Sequence, residues 1–114
     1  MAQQRSFIAV YIMTNGRNGA LYIGVSSEFG VRVLQHKLGE IDGFTKRYGC
    51  KRLVWYETHA SIIRAIAREK QLKQWYRGWK LDLIEQMNPD WRDLAEDWYP
   101  ETTWDFTGRE TQSQ

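Results

Sequence analysis

The segment SFIAVYIMTNGRNGALYIGV, residues 6–25, decides how this chain of 114 residues begins to fold. Ser6 to Thr14 and Ala20 to Val25 are rich in β-branched and aromatic residues, which favour extended strands. Between them, Asn15 to Gly19 holds two Asn-Gly pairs, which tolerate positive φ and favour a tight reversal. The sequence therefore predicts an antiparallel β-hairpin.

Side-chain alternation divides the second strand of this hairpin into two faces. Its three aliphatic residues point to one face, and Tyr22 and Gly24 point to the other. Tyr11, on the first strand, lies near Tyr22 if the register of the hairpin allows it. Core packing is the ordinary role of a strand tyrosine, because a phenol with a pKa near 10 needs help to act as a base. Both roles stay open for the two tyrosines at this point.

The remainder of the chain alternates between helical, loop and strand patterns. In the first helix, apolar residues at helical spacing predict burial of Val31, Leu34 and Leu38. Ser61 is a suitable N-cap for the longest helix. The pattern predicts one α+β domain at residues 6–97, between a disordered N-terminus at 1–5 and a polar C-terminal tail at 98–114. The elements predicted after the hairpin are a helix at Phe29–Leu38, a basic loop at Phe44–Arg52, a strand at Leu53–Glu57, helices at Ser61–Tyr76 and Lys80–Met87, and a helical turn at Trp91–Asp97.

The composition excludes several classes of protein. Hydrophobic residues make up 42% of the chain and charged residues 26%, which suits one small soluble domain. No apolar run approaches the roughly 18 residues that a membrane span needs. Cys50 is the only cysteine, so the chain has neither an internal disulfide nor the cysteines of a zinc cage. Without a visible export signal, we expect a cytoplasmic protein.

Charge is distributed unevenly along the chain. Residues 1–80 hold 14 Lys plus Arg against 5 Asp plus Glu, a net charge of +9, while residues 81–114 hold 2 against 9, a net charge of −7. Aromatic residues lie among the positive charges, among them Tyr48 and Trp75. A basic, aromatic surface suits a nucleic acid, whose phosphates bind cations and whose bases stack. An ordinary solvated surface is the alternative.

One carboxylate falls where a helix should be apolar. On a helical wheel, Glu69 lies near the centre of the apolar stripe of the longest helix. A carboxylate on a buried face is costly unless it is paired or holds a metal ion. A buried pair with arginine and a functional site are both open explanations. The stripe consists of Ile62, Ala65, Ile66, Leu72 and Tyr76.

Arg32 and His36 are four residues apart on the first helix and therefore share a face, distinct from the predicted apolar face. Arginine offers a rigid fork of donors for phosphate, and histidine exchanges a proton near neutral pH. Together they could bind one anion, although an exposed helix face also explains such a pair.

Taken in order, these motifs resemble the GIY-YIG nuclease superfamily. The resemblance covers about residues 6–95 and is strongest for YIGVSSEFGVRVLQHK, AIAREKQLKQW and NPDWRDL, which are similar to the small single-domain bacterial branch related to the N-terminal nuclease domain of the bacterial excinuclease. In the first of the two motifs that give the superfamily its name, Ala9 stands in place of glycine. Many members also carry an asparagine about a dozen residues after the glutamate, and this chain has no asparagine around the corresponding Leu81. The matching motifs are Val10-Tyr11-Ile12, Tyr22-Ile23-Gly24, Arg32 with His36, and Arg68-Glu69-Lys70.

The resemblance implies a three-stranded antiparallel sheet flanked by helices and a metal-dependent endonuclease that hydrolyses DNA. Glu69 would bind one divalent metal ion, Mg²⁺ or Mn²⁺, and Arg32 would stabilise the charge of the attacked phosphate. Tyr11 would take a proton from the attacking water. Tyr22 would hydrogen-bond the water or the phosphate, and His36 would assist one of these roles.

In such an enzyme, the basic loop after the first helix and the basic stripe of the longest helix are expected to contact DNA, although a solvated surface also explains the stripe. A domain of this size is expected to cut branched, flapped or weakly specified DNA, with repair or recombination as the expected setting. Monomer and weak homodimer both stay open. The residues expected to follow the phosphate backbone are Lys46, Arg47, Lys51, Arg52, Lys70, Lys73 and Arg77.

Two alternatives to an enzyme remain at the level of sequence. The fold can hold nucleic acid without cutting it, as a non-catalytic binding module. The acidic segment Asp82–Asp105, with Trp91, Trp98 and Trp104, can instead contact a protein partner, although tryptophans in this setting more commonly cap a core.

Overall fold

The computed structural model describes residues 7–99, which form a three-stranded antiparallel sheet with helices on both faces. The strand order is β2-β1-β3, so the hairpin is extended on the far side of β1. The predicted α+β class and sheet are confirmed. The elements are β1 (Ile8–Thr14), β2 (Leu21–Ser26), α1 (Phe29–Lys37), α2 (Phe44–Tyr48), β3 (Arg52–His59), α3 (Ile62–Lys73) and α4 (Arg77–Met87).

The predicted hairpin is confirmed, and its turn sets the register of the two tyrosines. The Gly19 amide donates to the Gly16 carbonyl at 2.9 Å, and the Asn15 side chain accepts from the Ala20 amide at 3.1 Å. Asn18 adopts the left-handed conformation with φ of 57°, which asparagine tolerates. This closure pairs residue 11 with residue 24 and residue 13 with residue 22.

Each face of the sheet covers its own apolar core. Because side chains alternate along β1, Val10 and Ile12 face α3 and α4, while Tyr11 and Met13 face α1 and the C-terminal segment. The aliphatic residues of β2 join the first core and Tyr22 joins the second, as the alternation predicts. The buried residues of the first core are Val10, Ile12, Ile23, Val54, Trp55, Ala65, Leu72, Ile84 and Trp91.

A β-bulge interrupts the pairing of β1 with β3. Ile12 pairs with Trp55, but the next residue, Met13, pairs with Leu53, so Val54 is the extra residue. The bulge lets Val54 and Trp55 both join the first core while Leu53 joins the second. The third strand is confirmed and is longer than the predicted Leu53–Glu57.

The face that α1 buries differs from the prediction. Val31, Leu34 and Leu38 are only half-buried. The helix is oriented instead by Phe29, whose ring packs against Tyr11, and by an ion pair between Lys37 and Asp93. These contacts with residues distant in sequence set the rotation of the helix, so that its most apolar face is not the face it buries. The residues that α1 buries are Phe29, Gly30, Val33, His36 and Lys37.

Two predicted local structures were wrong. The basic segment beginning at Phe44 is not all loop, because Phe44–Tyr48 forms the short helix α2, which ends at Gly49 in the left-handed conformation. In Trp91–Asp97 only residues 94–97 form a turn, with the Glu96 amide donating to the Asp93 carbonyl at 3.1 Å, while residues 91–93 are irregular, so the predicted helical turn does not span the segment. The N-cap at Ser61 is confirmed by its 3.2 Å hydrogen bond from the Arg64 amide.

The end of the described region packs against the fold. Trp98 contacts Phe29 edge-on at 5.4 Å, and the Tyr99 hydroxyl donates to the Gly30 carbonyl at 2.6 Å, so packing continues beyond the predicted boundary at residue 97. Trp91 is fully buried, and Trp98 is half-buried against the second core, so both tryptophans cap a core. The predicted N-terminal residues 1–5 and the tail from residue 100, with Trp104, lie outside the described residues. Within residues 7–99, no helix is long and apolar enough to cross a membrane.

Candidate active site

The centre of the candidate site is a chain of three buried side chains from β1, α1 and α2. The hydroxyl of Tyr11 lies 2.9 Å from Nε2 of His36. The other ring nitrogen, Nδ1, lies 3.1 Å from the hydroxyl of Thr45. All three residues are almost completely excluded from solvent. Both nitrogens of the imidazole are therefore occupied, and the ring is held in one orientation.

Electrostatics keep both Tyr11 and His36 neutral at physiological pH. Burial raises the pKa of Tyr11 above its usual value of 10.0, the neighbouring Tyr22 and Glu69 raise it further, and Arg32 opposes the rise. Burial lowers the pKa of His36 from 6.5 to about 4, and the positive charge of Arg32 lowers it further. Tyr11 is thus a phenol and His36 an uncharged imidazole that can accept the phenolic proton.

Tyr22 joins this cluster from the neighbouring strand. Its ring lies 5.2 Å from that of His36 and 6.3 Å from that of Tyr11, measured between centroids. Tyr22 is only half-buried, whereas Tyr11 is fully buried. The Tyr22 ring therefore forms the solvent side of the cluster.

Arg32 and His36 lie four residues apart on α1, but they differ in exposure. His36 is buried and Arg32 is exposed, so the alternative explanation of the pair by an exposed helix face does not hold for the histidine. The positive charge of Arg32 nevertheless lowers the pKa of both Tyr11 and His36. Arg32 also lines an open cavity of about 240 Å³ beside Ser26 and Ser27.

Glu69 approaches the same cluster from α3, whose residues contact both β1 and β2. Its side chain is 15% exposed, and its carboxylate pairs with Lys73 at 3.0 Å, so the partner is a lysine one turn away and not an arginine. Arg68, the preceding residue, donates to Glu57 on β3 at 2.9 Å and ties the helix to the sheet. The charge of Glu69 is felt at Tyr11.

The apolar stripe predicted around Glu69 is narrower than the helical wheel indicated. Only Ala65 and Leu72 are buried on α3, while Ile62, Ile66 and Tyr76 are exposed. Tyr76 lies beyond the end of the helix, which explains its departure from the stripe. Glu69 therefore lies at the margin of the helix interface, where a carboxylate can contact solvent or a bound ion.

The donor set suits a metal ion that its substrate completes. Among residues 7–99, no group of three or more His, Cys, Asp and Glu side chains is placed to hold a metal ion. Mg²⁺ commonly binds through one or two carboxylates, substrate phosphate oxygens and several waters. Glu69 is partly open to solvent and fits this mode of binding. The described residues do not fit a site made of protein ligands alone.

Two of the predicted DNA-contacting residues also hold the fold together. Arg52 donates to the Trp91 carbonyl at 3.0 Å and so fastens the C-terminal segment to β3. Arg77 donates to the carbonyls of Asn18 and Gly19 at 2.9 and 2.7 Å, which joins α4 to the hairpin turn. Part of the donor capacity of each guanidinium is therefore used inside the protein.

The remaining predicted DNA contacts are exposed. One group comprises Lys46 and Arg47 on α2 and Lys51 after it, and the other comprises Lys70 and Lys73 on α3. Lys51 and Lys70 are exposed to solvent. The other three contact neighbours close in sequence, Lys46 with Asp42 at 3.5 Å, Lys73 with Glu69 at 3.0 Å, and Arg47 with the ring of Tyr48 at 5.5 Å.

Sequence analysis missed Thr45, because the segment around it was interpreted as a loop. If the segment is treated as a helix that starts at Phe44, Thr45 falls on the face opposite the exposed residues of α2 and is expected to be buried. Asn88 is the asparagine nearest to the missing family position, but its contacts within the protein exclude it from the candidate site. It is buried and bonds to the Val54 and Arg92 carbonyls at 3.2 and 2.8 Å.

Comparison with known proteins identifies the family. A model of the GIY-YIG catalytic domain matches residues 7–82, which include Tyr11, Tyr22, Arg32, His36 and Glu69. The chain belongs to the GIY-YIG family.

Relatives of this GIY-YIG protein occur in several bacteria. It is 32% identical over 77 residues to the UPF0213 protein SERP0126 of Staphylococcus epidermidis, which covers 68% of this chain and 93% of that protein. It is 35% identical over 77 residues to the UPF0213 protein VPA1222 of Vibrio parahaemolyticus, with 68% and 72% covered. No solved structure matches the chain significantly. The match to the catalytic domain of a nuclease family therefore carries the functional assignment.

Proposed function

We propose that this GIY-YIG protein is a metal-dependent endonuclease that hydrolyses DNA phosphodiester bonds. The observation that supports this most directly is the hydrogen-bonded chain from Tyr11 through His36 to Thr45, next to the charges of Arg32 and Glu69. Hydrolysis of a phosphodiester needs a proton acceptor for water and positive charge beside the phosphate. The cluster contains both.

The buried pair offers a path for the proton of the attacking water. Tyr11 is a poor base by itself, because its burial disfavours the phenolate. Its hydroxyl can pass its own proton to Nε2 of His36 while its oxygen receives one from water. One O–H bond of water and the original O–H bond of Tyr11 break, a new Tyr11 O–H bond and an Nε2–H bond form, and the resulting hydroxide attacks the phosphorus. The imidazolium formed is short-lived, because burial lowers the pKa of His36 to about 4. Thr45 accepts a hydrogen bond from Nδ1–H before and after the transfer, which keeps Nε2 as the nitrogen that accepts the proton.

The charged residues act on the phosphate. Arg32, exposed beside the cluster, is placed to donate to the non-bridging oxygens as negative charge accumulates on them. Tyr22, on the solvent side, orients the water or the phosphate by hydrogen bonding. Glu69 would hold the divalent metal ion, Mg²⁺ or Mn²⁺, which when bound supplies Lewis-acid stabilisation of the phosphate. The exposure of each residue and, for Arg32 and Glu69, the effect of its charge on Tyr11 support these roles.

The expected substrate is DNA chosen by its structure or with weak sequence preference. The basic residues on α2 and α3 are suited to phosphate contacts, which position a strand without reading its sequence. Branched or flapped DNA, of the kind formed in repair and recombination, combines a basic-surface contact with an accessible backbone.

Cleavage assays on end-labelled DNA test this function. Single-stranded, duplex, flapped and branched substrates are incubated with Mg²⁺, Mn²⁺ or EDTA, and Glu69→Gln is compared with Glu40→Gln, which neutralises an exposed carboxylate outside the site. We expect metal-dependent cleavage by the wild type and by Glu40→Gln, and a loss of at least about 100-fold in Glu69→Gln. Circular dichroism verifies that each variant is folded.

Two outcomes contradict the proposal. Equal cleavage by Glu69→Gln and the wild type overturns the role of Glu69. Binding of DNA without cleavage under every metal condition overturns the nuclease activity and leaves a binding module with a nuclease fold.

A further inference from the structure

The short helix α2 presents two aromatic side chains to solvent. Phe44 is 42% exposed and Tyr48 is 45% exposed, and their ring centroids are 4.7 Å apart. They are separated by four residues and therefore lie on one face of the helix. Neither ring belongs to either apolar core. The two exposed aromatic rings, tilted by 44° to each other, form an open apolar surface on which a flat group can stack against one ring.

This surface is continuous with the candidate active site. The ring of Tyr22 is stacked on Phe44, with centroids 6.3 Å apart and an interplanar angle of 28°. On its other side, Tyr22 lies 5.2 Å from His36. An unbroken row of rings thus leads from His36 through Tyr22 and Phe44 to Tyr48. Whatever lies on α2 is a neighbour of whatever is bound at Tyr22.

Positive charge flanks the two rings. Arg47 lies over the face of Tyr48, with its guanidinium carbon 5.5 Å from the ring centroid. Lys46 is exposed and lies 3.5 Å from Asp42, the acidic residue at this edge. These residues line an open cavity of about 630 Å³, within the size range of ligand pockets. The surface combines aromatic faces with cations, which favours an anionic partner with flat, stackable groups.

Internal hydrogen bonds hold α2 in place. The Asn15 side chain donates to the Tyr48 carbonyl at 3.1 Å, and the Cys50 amide donates to the Thr45 carbonyl at 2.8 Å. Thr45 points inward to His36 from the same helix. The two rings are therefore fixed relative to the candidate catalytic side chains, which lowers the ordering cost of binding.

We propose that Phe44 and Tyr48 form a stacking platform for an unpaired nucleobase next to the scissile phosphate, with Lys46 and Arg47 holding the adjoining backbone. Aromatic side chains bind single strands by stacking on the face of a base, and that face is covered in a continuous duplex. The platform therefore selects single-stranded segments, including the unpaired arm of a flap. Its position next to the scissile phosphate rests on the proposed nuclease function, whereas its binding of single strands does not.

Binding without metal tests the platform separately from catalysis. Fluorescence anisotropy in EDTA measures the affinity of the full chain for a labelled single-stranded oligodeoxynucleotide and for a blunt-ended linear duplex of the same length. The variants are Phe44→Leu, Tyr48→Leu and Tyr48→Phe, and the matched control is Tyr76→Leu, which removes a 73% exposed aromatic ring after α3.

The platform predicts a selective loss. Phe44→Leu and Tyr48→Leu should each weaken single-strand binding by roughly 5- to 100-fold, the range for one lost base stack, and leave duplex binding within about twofold. Tyr48→Phe and Tyr76→Leu should bind as the wild type does. Asp42→Asn should strengthen single-strand binding about two- to threefold, because Lys46 loses its competing carboxylate.

A fluorescent base reports the contact directly. We expect the emission of 2-aminopurine in the single strand to change when the wild type binds, since stacking alters its fluorescence, and to remain nearly that of free DNA with Phe44→Leu.

Three results would overturn the platform. They are unchanged single-strand binding in both leucine variants, an equal loss for single strand and duplex, and an equal loss in Tyr76→Leu. A failure of the nuclease proposal shows instead as absent cleavage with the single-strand preference intact.

Discussion

The ring of Tyr11 lies directly over Gly24, its partner on the neighbouring strand, so that a Cβ at position 24 would come within 2.5 Å of both Cζ and Oη of the phenol. The same Cβ would lie 2.9 Å from the ring of Tyr22. Contacts this short force a shift of one of the groups. Glycine at position 24 therefore allows the two tyrosines to converge beside His36, which explains in physical terms its place in the motif.

Gly24→Ala is expected to disable the site more than the fold. The added methyl must push Tyr11 or Tyr22 aside, and a displacement of about 1 Å in a catalytic group costs about 100-fold in rate. Overpacking should lower the free energy of unfolding by about 1–3 kcal/mol. Cleavage rate and urea unfolding measure the two effects.

Gly78→Ala is the matched control for this substitution. Nothing lies within 4 Å of its Cβ position in α4, so alanine there should raise helix stability by up to about 1 kcal/mol and leave cleavage unchanged. Full activity in Gly24→Ala would contradict the close-approach explanation.

Tyr11→Phe should abolish most cleavage, because it removes the oxygen that exchanges a proton with both water and His36. A loss of about 100-fold or more is expected from the usual contribution of acid–base catalysis. Single-turnover cleavage measures the chemical step. Tyr56→Phe, which keeps the ring packing against Phe29 and Trp98, serves as the control and should retain activity. Equal rates in the two variants would exclude Tyr11 from proton transfer.

Thr45 is expected to act as a positioning residue through His36. Thr45→Val keeps the shape of the side chain but leaves Nδ1 of the imidazole without its 3.1 Å partner. We expect kcat to fall about tenfold with KM little changed, and Thr45→Ser, which keeps the hydroxyl, to restore most of the loss. The pH profile of kcat provides the second readout. A loss in Thr45→Ser as large as in Thr45→Val would indicate packing alone.

Stability at acidic pH should depend on His36. Burial, reinforced by Arg32, lowers its pKa to about 4 in the folded protein, against 6.5 as the usual value. Between these values the unfolded chain binds a proton that the folded chain does not. The contribution of neutral His36 is thus complete above pH 6.5 and is lost as the pH falls toward 4, by up to about 3 kcal/mol.

Urea unfolding from pH 4 to pH 8 tests this dependence. We expect the wild type to lose more stability than His36→Gln over the range from 6.5 down to 4, because glutamine does not titrate. The difference between the two proteins isolates His36 from the carboxylates that also titrate there. If the free energy of unfolding falls equally with pH in both proteins, protonation of His36 does not destabilise the folded state.

The ion pair of Lys37 with Asp93 is expected to hold the C-terminal segment on the fold. Lys37 is buried, and Asp93 also accepts hydrogen bonds from the amides of Leu53 and Ala95, both at 3.1 Å. Asp93→Asn removes the negative charge that pairs with buried Lys37 and should lower the free energy of unfolding by about 3 kcal/mol. Asp42→Asn, at an exposed pair, should change it by less than about 1 kcal/mol. Similar losses in both variants would contradict this distinction.

The features that the sequence alone determined are those written in short-range patterns. The Asn-Gly pairs and the alternation of β2 specify the hairpin and place Tyr22 opposite its aliphatic neighbours, because strand geometry has a period of two residues. The Ser61 cap and the break at Asn88-Pro89 specify where helices begin and end. The family motifs are short in the same sense, so the candidate site residues could be named from the sequence.

Tertiary structure alone decided which groups meet and which are buried. The rotation of α1 depends on Phe29 and Lys37 finding partners as distant in sequence as Asp93, so its local apolar pattern misassigned the buried face. Thr45 meets His36 because α2 folds against α1. Burial then keeps His36 uncharged and Tyr11 protonated. Desolvation is a property of the surrounding atoms, and those atoms come from every part of the chain.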